Sequence, residues 1–160
     1  MRKKGLLALM IGLSVISSTG CQMDIKPADP KDGKYATQTP MTSLEYALYM
    51  NKQITVFTNQ LSTRMAVVAN QKDEQSSNES YMVQQSIETL KNTLDEVKVT
   101  KPSKGKDNTR ETTIAAMETA IGHLKDYKSD LDEGKDIAAY ADLFQSDFDE
   151  LTGLANLYNE

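Results

Sequence analysis

From Leu44 onward, apolar residues return at intervals of three and four. The first series holds Leu44, Leu48, Ile54, Leu61, Met65 and Val68, with Asn51 and Thr58 interrupting the same seam. A second holds Val83, Ile87, Leu90, Leu94 and Val97. A third holds Ile114, Met117, Ile121, Leu124 and then Tyr127 or Leu131. The fourth holds Ile137, Tyr140, Phe144, Phe148, Leu151, Leu154 or Ala155, and Tyr158. A helix of 3.6 residues per turn brings such positions onto one face, whereas a strand would alternate them. The pattern therefore predicts four helices, each with a narrow apolar stripe backed by polar residues.

Start and stop signals bound these helices. Thr42 and Glu45 have capping-box spacing, with Met41 and Tyr46 placed for a hydrophobic staple. Ser76 and Glu79 repeat that spacing after the polar run from Lys72 to Ser76. The second helix ends before Pro102, which biases its predecessor away from helical dihedrals. An exposed basic loop from Lys101 to Asp107 follows. The third helix opens near Asn108 or Thr109, and Gly134 suits the left-handed residue that closes a helix. The connection around Asp132 to Lys135 is short, which makes the last two helices antiparallel neighbours. Four narrow stripes imply one shared core, so the expected fold is all-α, an antiparallel four-helix bundle over residues 42–160. The alternative is a three-helix arrangement in which the first two helices join into one rod. Asn51 and Thr58 are expected to fix register on the seam, or to line a small polar pocket.

The chain before this domain has a different pattern. Arg2, Lys3 and Lys4 precede an apolar run from Leu6 to Ile16, which is followed by Ser17, Ser18, Thr19 and Gly20. Charged, apolar and small residues in that order form a secretory signal. The apolar run is too short for a bilayer-spanning helix, which needs roughly twenty residues. Cys21, the only cysteine, comes next. Gly20-Cys21 resembles the lipobox of bacterial lipoproteins, with Ser18 standing where that family has an aliphatic residue. The resemblance covers residues 1–21. It implies cleavage before Cys21, a thioether-linked diacylglyceryl group on Cys21, and a chain held on the extracytoplasmic face of a membrane. Two acyl chains anchor stably where one binds only marginally. Residues 22–41 hold Pro27, Pro30, Pro40 and Gly33 with few apolar side chains. They read as a disordered linker of roughly 25 Å mean span.

Loss of Arg2, Lys3 and Lys4 takes the basic residues from 18 to 15 against 23 acidic ones, a net charge of −8. An acidic chain repels phosphates, so nucleic acid is excluded as a partner. The same balance opposes general electrostatic adhesion to anionic lipid. Candidate chemistry is sparse. His123 is the only histidine. Asp126 lies three residues after it and Glu118 five before, a weak contact for a metal and not the Glu-x-x-His pairs of a di-iron bundle. Asp130 with Asp132, and Asp147 with Asp149 and Glu150, are expected on solvated faces. Met65, Met82 and Met117 fall on or beside stripes, where methionine fills core space. The tyrosines are expected at the edge of the core with hydroxyls in water. Asn78-Glu79-Ser80 matches a glycosylation sequon that has no use in a bacterium.

The expectation is a non-enzymatic, lipid-anchored module, attached to the membrane through Cys21, that contacts an envelope or surface protein. No catalytic residue, cofactor or metal ligand is assigned. The alternative is a small-molecule or metal-binding lipoprotein.

Overall fold

The computed structural model describes residues 40–70 and 76–160. The expected signal sequence, Cys21, nearly all of the linker and the stretch from Lys72 to Gln75 lie outside these residues. Four helices make up the fold: α1 (Ser43–Asn70), α2 (Ser76–Val99), α3 (Asp107–Asp132) and α4 (Tyr140–Leu157). Among the described residues there is no strand, and the chain is an all-α four-helix bundle. Each helix packs on two neighbours. The pairs α1 with α4 and α2 with α3 are the most extensive, and α1 with α2 the least.

Bonded pairs across these interfaces run in opposite chain order. Tyr49, Gln53, Gln60 and Arg64 of α1 meet Thr100, Glu96, Ser86 and Glu79 respectively. Arg110 and Tyr127 of α3 meet Val97 and Glu79. Thr113, His123 and Asp130 meet Tyr158, Asp147 and Tyr140. The start of α1, the end of α2, the start of α3 and the end of α4 therefore share one end of the bundle, termed here the entry end. The other termini share the far end.

Local chemistry sets several helix boundaries. The Thr42 amide donates to Glu45 Oε2 at 2.8 Å, and the Glu45 amide donates to Thr42 Oγ1 at 3.2 Å. That is the reciprocal capping box the spacing predicts. The Thr42 amide holds the Glu45 carboxyl below the usual range. At the end of α3, Gly134 takes φ +67°. Its amide donates to the Leu131 carbonyl, and the Lys135 amide to that of Asp130. These two bonds make a Schellman motif, which a side chain at the left-handed position would strain. Gly105, with φ +81°, turns the chain between α2 and α3, and the Lys106 amide closes that turn on the Ser103 carbonyl.

The stripe of α2 is buried at all five expected positions, Val83, Ile87, Leu90, Leu94 and Val97. In α3, Met117, Ile121, Leu124, Tyr127 and Leu131 are buried, and Ile114 is half-buried. In α4, Phe144, Leu151 and Leu154 are buried, as is Tyr158 just after it, while Tyr140, Phe148 and Ala155 pack at the edge. That helix begins at Tyr140, so Ile137 belongs to the preceding turn and the connection from Glu133 to Ala139 is longer than expected.

The seam of α1 departs most from expectation. Leu44 is 70 % exposed and Leu48 63 %. The inward face is instead Ala47, Met50, Ile54, Phe57, Leu61 and Arg64. This is an unbroken three–four spacing, rotated one residue from the expected one over Asn51, Thr58 and Met65. Asn51 and Thr58 consequently sit beside the core. The Asn51 amide group donates to Asn159 Oδ1 at 2.9 Å, and the Thr58 hydroxyl to the Thr55 carbonyl.

Replacing Thr42 with Ala removes the hydroxyl acceptor for the Glu45 amide. Stability should fall by about 1 kcal/mol, read from the urea midpoint. An unchanged midpoint would mean the capping box adds nothing to the fold.

Candidate functional site

The polar groups that sequence spacing places on the helices gather into three clusters, one at each end of the bundle and one on its flank. At the far end, Arg64 is 3 % exposed and Glu79 6 %. Arg64 Nη1 donates to Glu79 Oε1 at 2.7 Å, and the Tyr127 hydroxyl donates to the same oxygen at 3.3 Å. Glu79, whose spacing suggested a capping box, thus faces inward and joins α1, α2 and α3. Burial, with Glu79 alongside, pushes the Tyr127 phenol well above its ordinary value. The Tyr127 ring packs against Tyr140 and edge-on against Phe144, which closes the cluster toward α4.

At the entry end, Arg110 is 5 % exposed. Its guanidinium donates to the carbonyls of Val97 and Lys98. The last carbonyls of a helix lack partners within it and carry the negative end of its dipole. Arg110, from the first turn of α3, therefore caps α2. Around it stand Tyr46, Tyr49 and Tyr158, with Tyr46 stacked on Tyr49 and edge-on to Tyr158. The Tyr158 hydroxyl lies 2.9 Å from Thr113 Oγ1, and the Tyr49 hydroxyl 3.0 Å from Thr100 Oγ1. Burial raises both phenols.

On the flank, His123 Nδ1 lies 2.8 Å from Asp147 Oδ2. The carboxylate oxygen accepts, which puts the ring proton on Nδ1. Asp147 is 5 % exposed and His123 stands at the surface edge. The expected neighbours of His123 are elsewhere: Asp126 is exposed and Glu118 pairs with Lys98 at 2.6 Å. A histidine oriented by a buried carboxylate is the base half of a nucleophilic triad. The hydroxyls of Ser80, Ser86 and Ser129 point to Asp132, Gln60 and Glu133 instead. Among the described residues, no three His, Cys, Asp or Glu side chains converge as metal ligands.

The remaining carboxylates are tied locally. Asp130 accepts from the Tyr140 hydroxyl at 2.7 Å and from Lys135 at 3.0 Å, and the Tyr140 contact foremost holds its carboxyl below the usual range. Burial, aided by that hydrogen bond, pushes the Tyr140 phenol up to about 12. Lys128 does the most to depress Asp132, and Lys135 the most to depress Glu133. Met117 is buried, Met65 half-buried, and Met82 is 43 % exposed. No row of tyrosines faces solvent: among the described residues, Tyr81 alone is largely exposed, at 61 %. Two open surface depressions stand out. One, of about 380 Å³, lies between Met41, Pro102 and Lys104, and another, of about 330 Å³, between Lys91, Lys98, Glu118 and Lys125.

Sequence reasoning followed apolar spacing: it passed over Arg64 and Arg110, read Glu79 as a cap, and placed Asp147 on a solvated face, whereas all four are buried. Each stands on the three–four spacing of its helix: Arg64 seven after Phe57, Glu79 four before Val83, Arg110 seven before Met117, and Asp147 between Phe144 and Leu151. A charged residue on a core position was the available signal.

Two predictions follow from this chemistry. Glu79→Leu leaves Arg64 buried without its carboxylate, and should destabilise the fold by about 3–5 kcal/mol. Arg64→Met with Glu79→Leu should restore most of that, as measured by urea unfolding. Equal losses in the single and double variants would contradict a buried pair. The phenols of Tyr49, Tyr127, Tyr140 and Tyr158 are all raised in the folded chain. Their contribution to stability is therefore complete below the ordinary phenol value near 10, and is lost as pH rises through the folded values. Absorbance titration of tyrosinate should show several rings ionising only as the fold is lost. Ionisation of every ring near pH 10 with the helices intact would refute this.

The chain matches no protein-family model, no curated protein and no solved structure.

Proposed function

We propose that this protein is a lipoprotein anchored through Cys21 to the extracytoplasmic face of a membrane, where its helical bundle contacts another envelope or surface protein without catalysing a reaction. The observation that carries this reading is the position of the sole cysteine, directly after a charged, apolar and small-residue leader. The helices supply no second anchor among the described residues, because none is long and apolar enough to cross a membrane. Membrane attachment then falls to the lipid on Cys21.

The protein-contact part rests on the far end, the end opposite the one where the linker joins. Tyr81 (61 % exposed), Met82 (43 %) and Leu143 (37 %) present apolar surface there. Nearby Asp130, Asp132, Glu133 and Asp136 outnumber Lys128 and Lys135, with which three of them pair. Tyrosine and methionine are enriched where proteins meet, and the acidic surround favours a basic partner surface.

Feeding labelled palmitate to cells that make the full-length protein tests the anchor. Label and membrane association should both disappear in Cys21→Ala. Label retained by that variant would overturn the lipid assignment. A photo-cross-linking amino acid at position 81 tests the contact. It should capture one dominant envelope protein, whereas the same group at the exposed position 92, nearer the middle of the bundle, should not. Identical products from both positions would remove the support for a partner at the far end.

A further inference from the structure

The entry end exposes apolar side chains for a geometric reason. Leu44, Leu48 and Asn51 share a face of α1, being four and three residues apart. Asn51 reaches Asn159, two residues beyond the last residue of α4. The two turns of α1 that precede Asn51 thus run on past α4, Leu44 by about 10 Å. No described residue covers that face: Leu44 is 70 % exposed and Leu48 63 %, with Leu157 at 41 % and Met41 at 38 % on the same end.

The turns at the two ends differ in charge. Residues 100–106, which turn the chain at the entry end, hold three lysines and no acid, with Glu45, Asp107 and Glu160 also on this end. Residues 133–139, which turn it at the far end, hold two acids and one lysine, and follow Asp130 and Asp132 at the end of α3. An anionic lipid surface attracts lysines within about a Debye length, roughly 8–10 Å, and repels the far end.

The length of chain outside the structure supplies the third constraint. Only the residues between Cys21 and Met41 separate the proposed anchor from this end, and a coil of that length has a mean span of roughly 25 Å. The far end is about 39 Å farther along a helix of 26 residues. A short tether keeps the local lipid concentration high, so even a weak contact is largely occupied.

We propose that the entry end, through Leu44, Leu48 and Leu157 with the lysine-bearing turn beside them, rests on the same lipid surface that holds the chain's anchor, and so points the far end outward. This rests on the lipid-anchor reading and adds to it an orientation. The bundle lies against the membrane instead of swinging free on its linker.

The chain contains no tryptophan, so one introduced tryptophan reports on one place. Leu48→Trp and, separately, Tyr81→Trp would be made in the full-length protein, purified with its lipid and placed in phosphatidylglycerol vesicles containing brominated lipid. The expected result is a blue shift and loss of intensity for Leu48→Trp, with neither for Tyr81→Trp. Equal quenching of the two variants, or none, would overturn the proposal. A blue shift for Leu48→Trp that persists without vesicles and grows with protein concentration would also overturn it, by showing a second copy on this face. The mass of the purified protein reports separately on the lipid. If Cys21 carries none, the anchor reading fails by itself, and coupling the thiol to a maleimide lipid tests the docking in the same assay.

Discussion

Every buried charge in this bundle needs a partner on another helix, and that requirement fixes how the helices sit. Apolar seams alone tolerate sliding, because one leucine fills a neighbour's space nearly as well as the next. A guanidinium or carboxylate removed from water does not tolerate it, since an unpaired charge in the interior costs several kcal/mol. Arg64 must find Glu79, Arg110 must find the last carbonyls of α2, and Asp147 must find His123. These three requirements lie at different heights of the bundle and involve all four helices. A slip of one turn at any interface would break at least one of them. The α1–α2 interface adds Gln53 with Glu96 and Gln60 with Ser86. This least extensive of the four interfaces is therefore joined by directional bonds along its length.

The sequence made some of this legible and concealed the rest for identifiable reasons. In α2, five apolar residues coincide with five buried positions, so spacing sufficed. The capping box at Thr42 and the left-handed Gly134 depend on local chemistry alone, and local chemistry is what a sequence displays directly. The phase of α1 was concealed because two opposite substitutions coincide there. Leu44 and Leu48 are apolar yet lie past the end of α4, while Gln53 and Arg64 are polar yet buried. A rule that sorts residues by apolarity rotates such a helix by one position. The pairing of His123 with Asp147 spans 24 residues and two helices, and no local spacing encodes it. The polar ends were visible as charged residues on core positions, but their partners became apparent only once the helices were placed.

In the proposed arrangement the two ends of the bundle have separate tasks, and the interior serves neither. Core positions are filled by aromatic and aliphatic side chains from all four helices. The proposed contacts use the outer surface, where the turns at the two ends differ in charge. Orientation is the property that lets such a module work: a fixed outward face meets a partner with fewer unproductive encounters than a freely tumbling one.

The preference of α1 for α4 also governs the order in which the fold can assemble. These two helices are the most distant in the chain, yet they share the most extensive interface. The α2–α3 hairpin closes a short loop, and its capping arginine lies only 13 residues from the carbonyl it binds, so it can form as soon as both helices exist. By contrast, α1 waits for the last 18-residue helix. A chain emerging from its N-terminus first holds its longest helix without its main partner until synthesis is nearly complete. Closure of the bundle is then a late, long-range event.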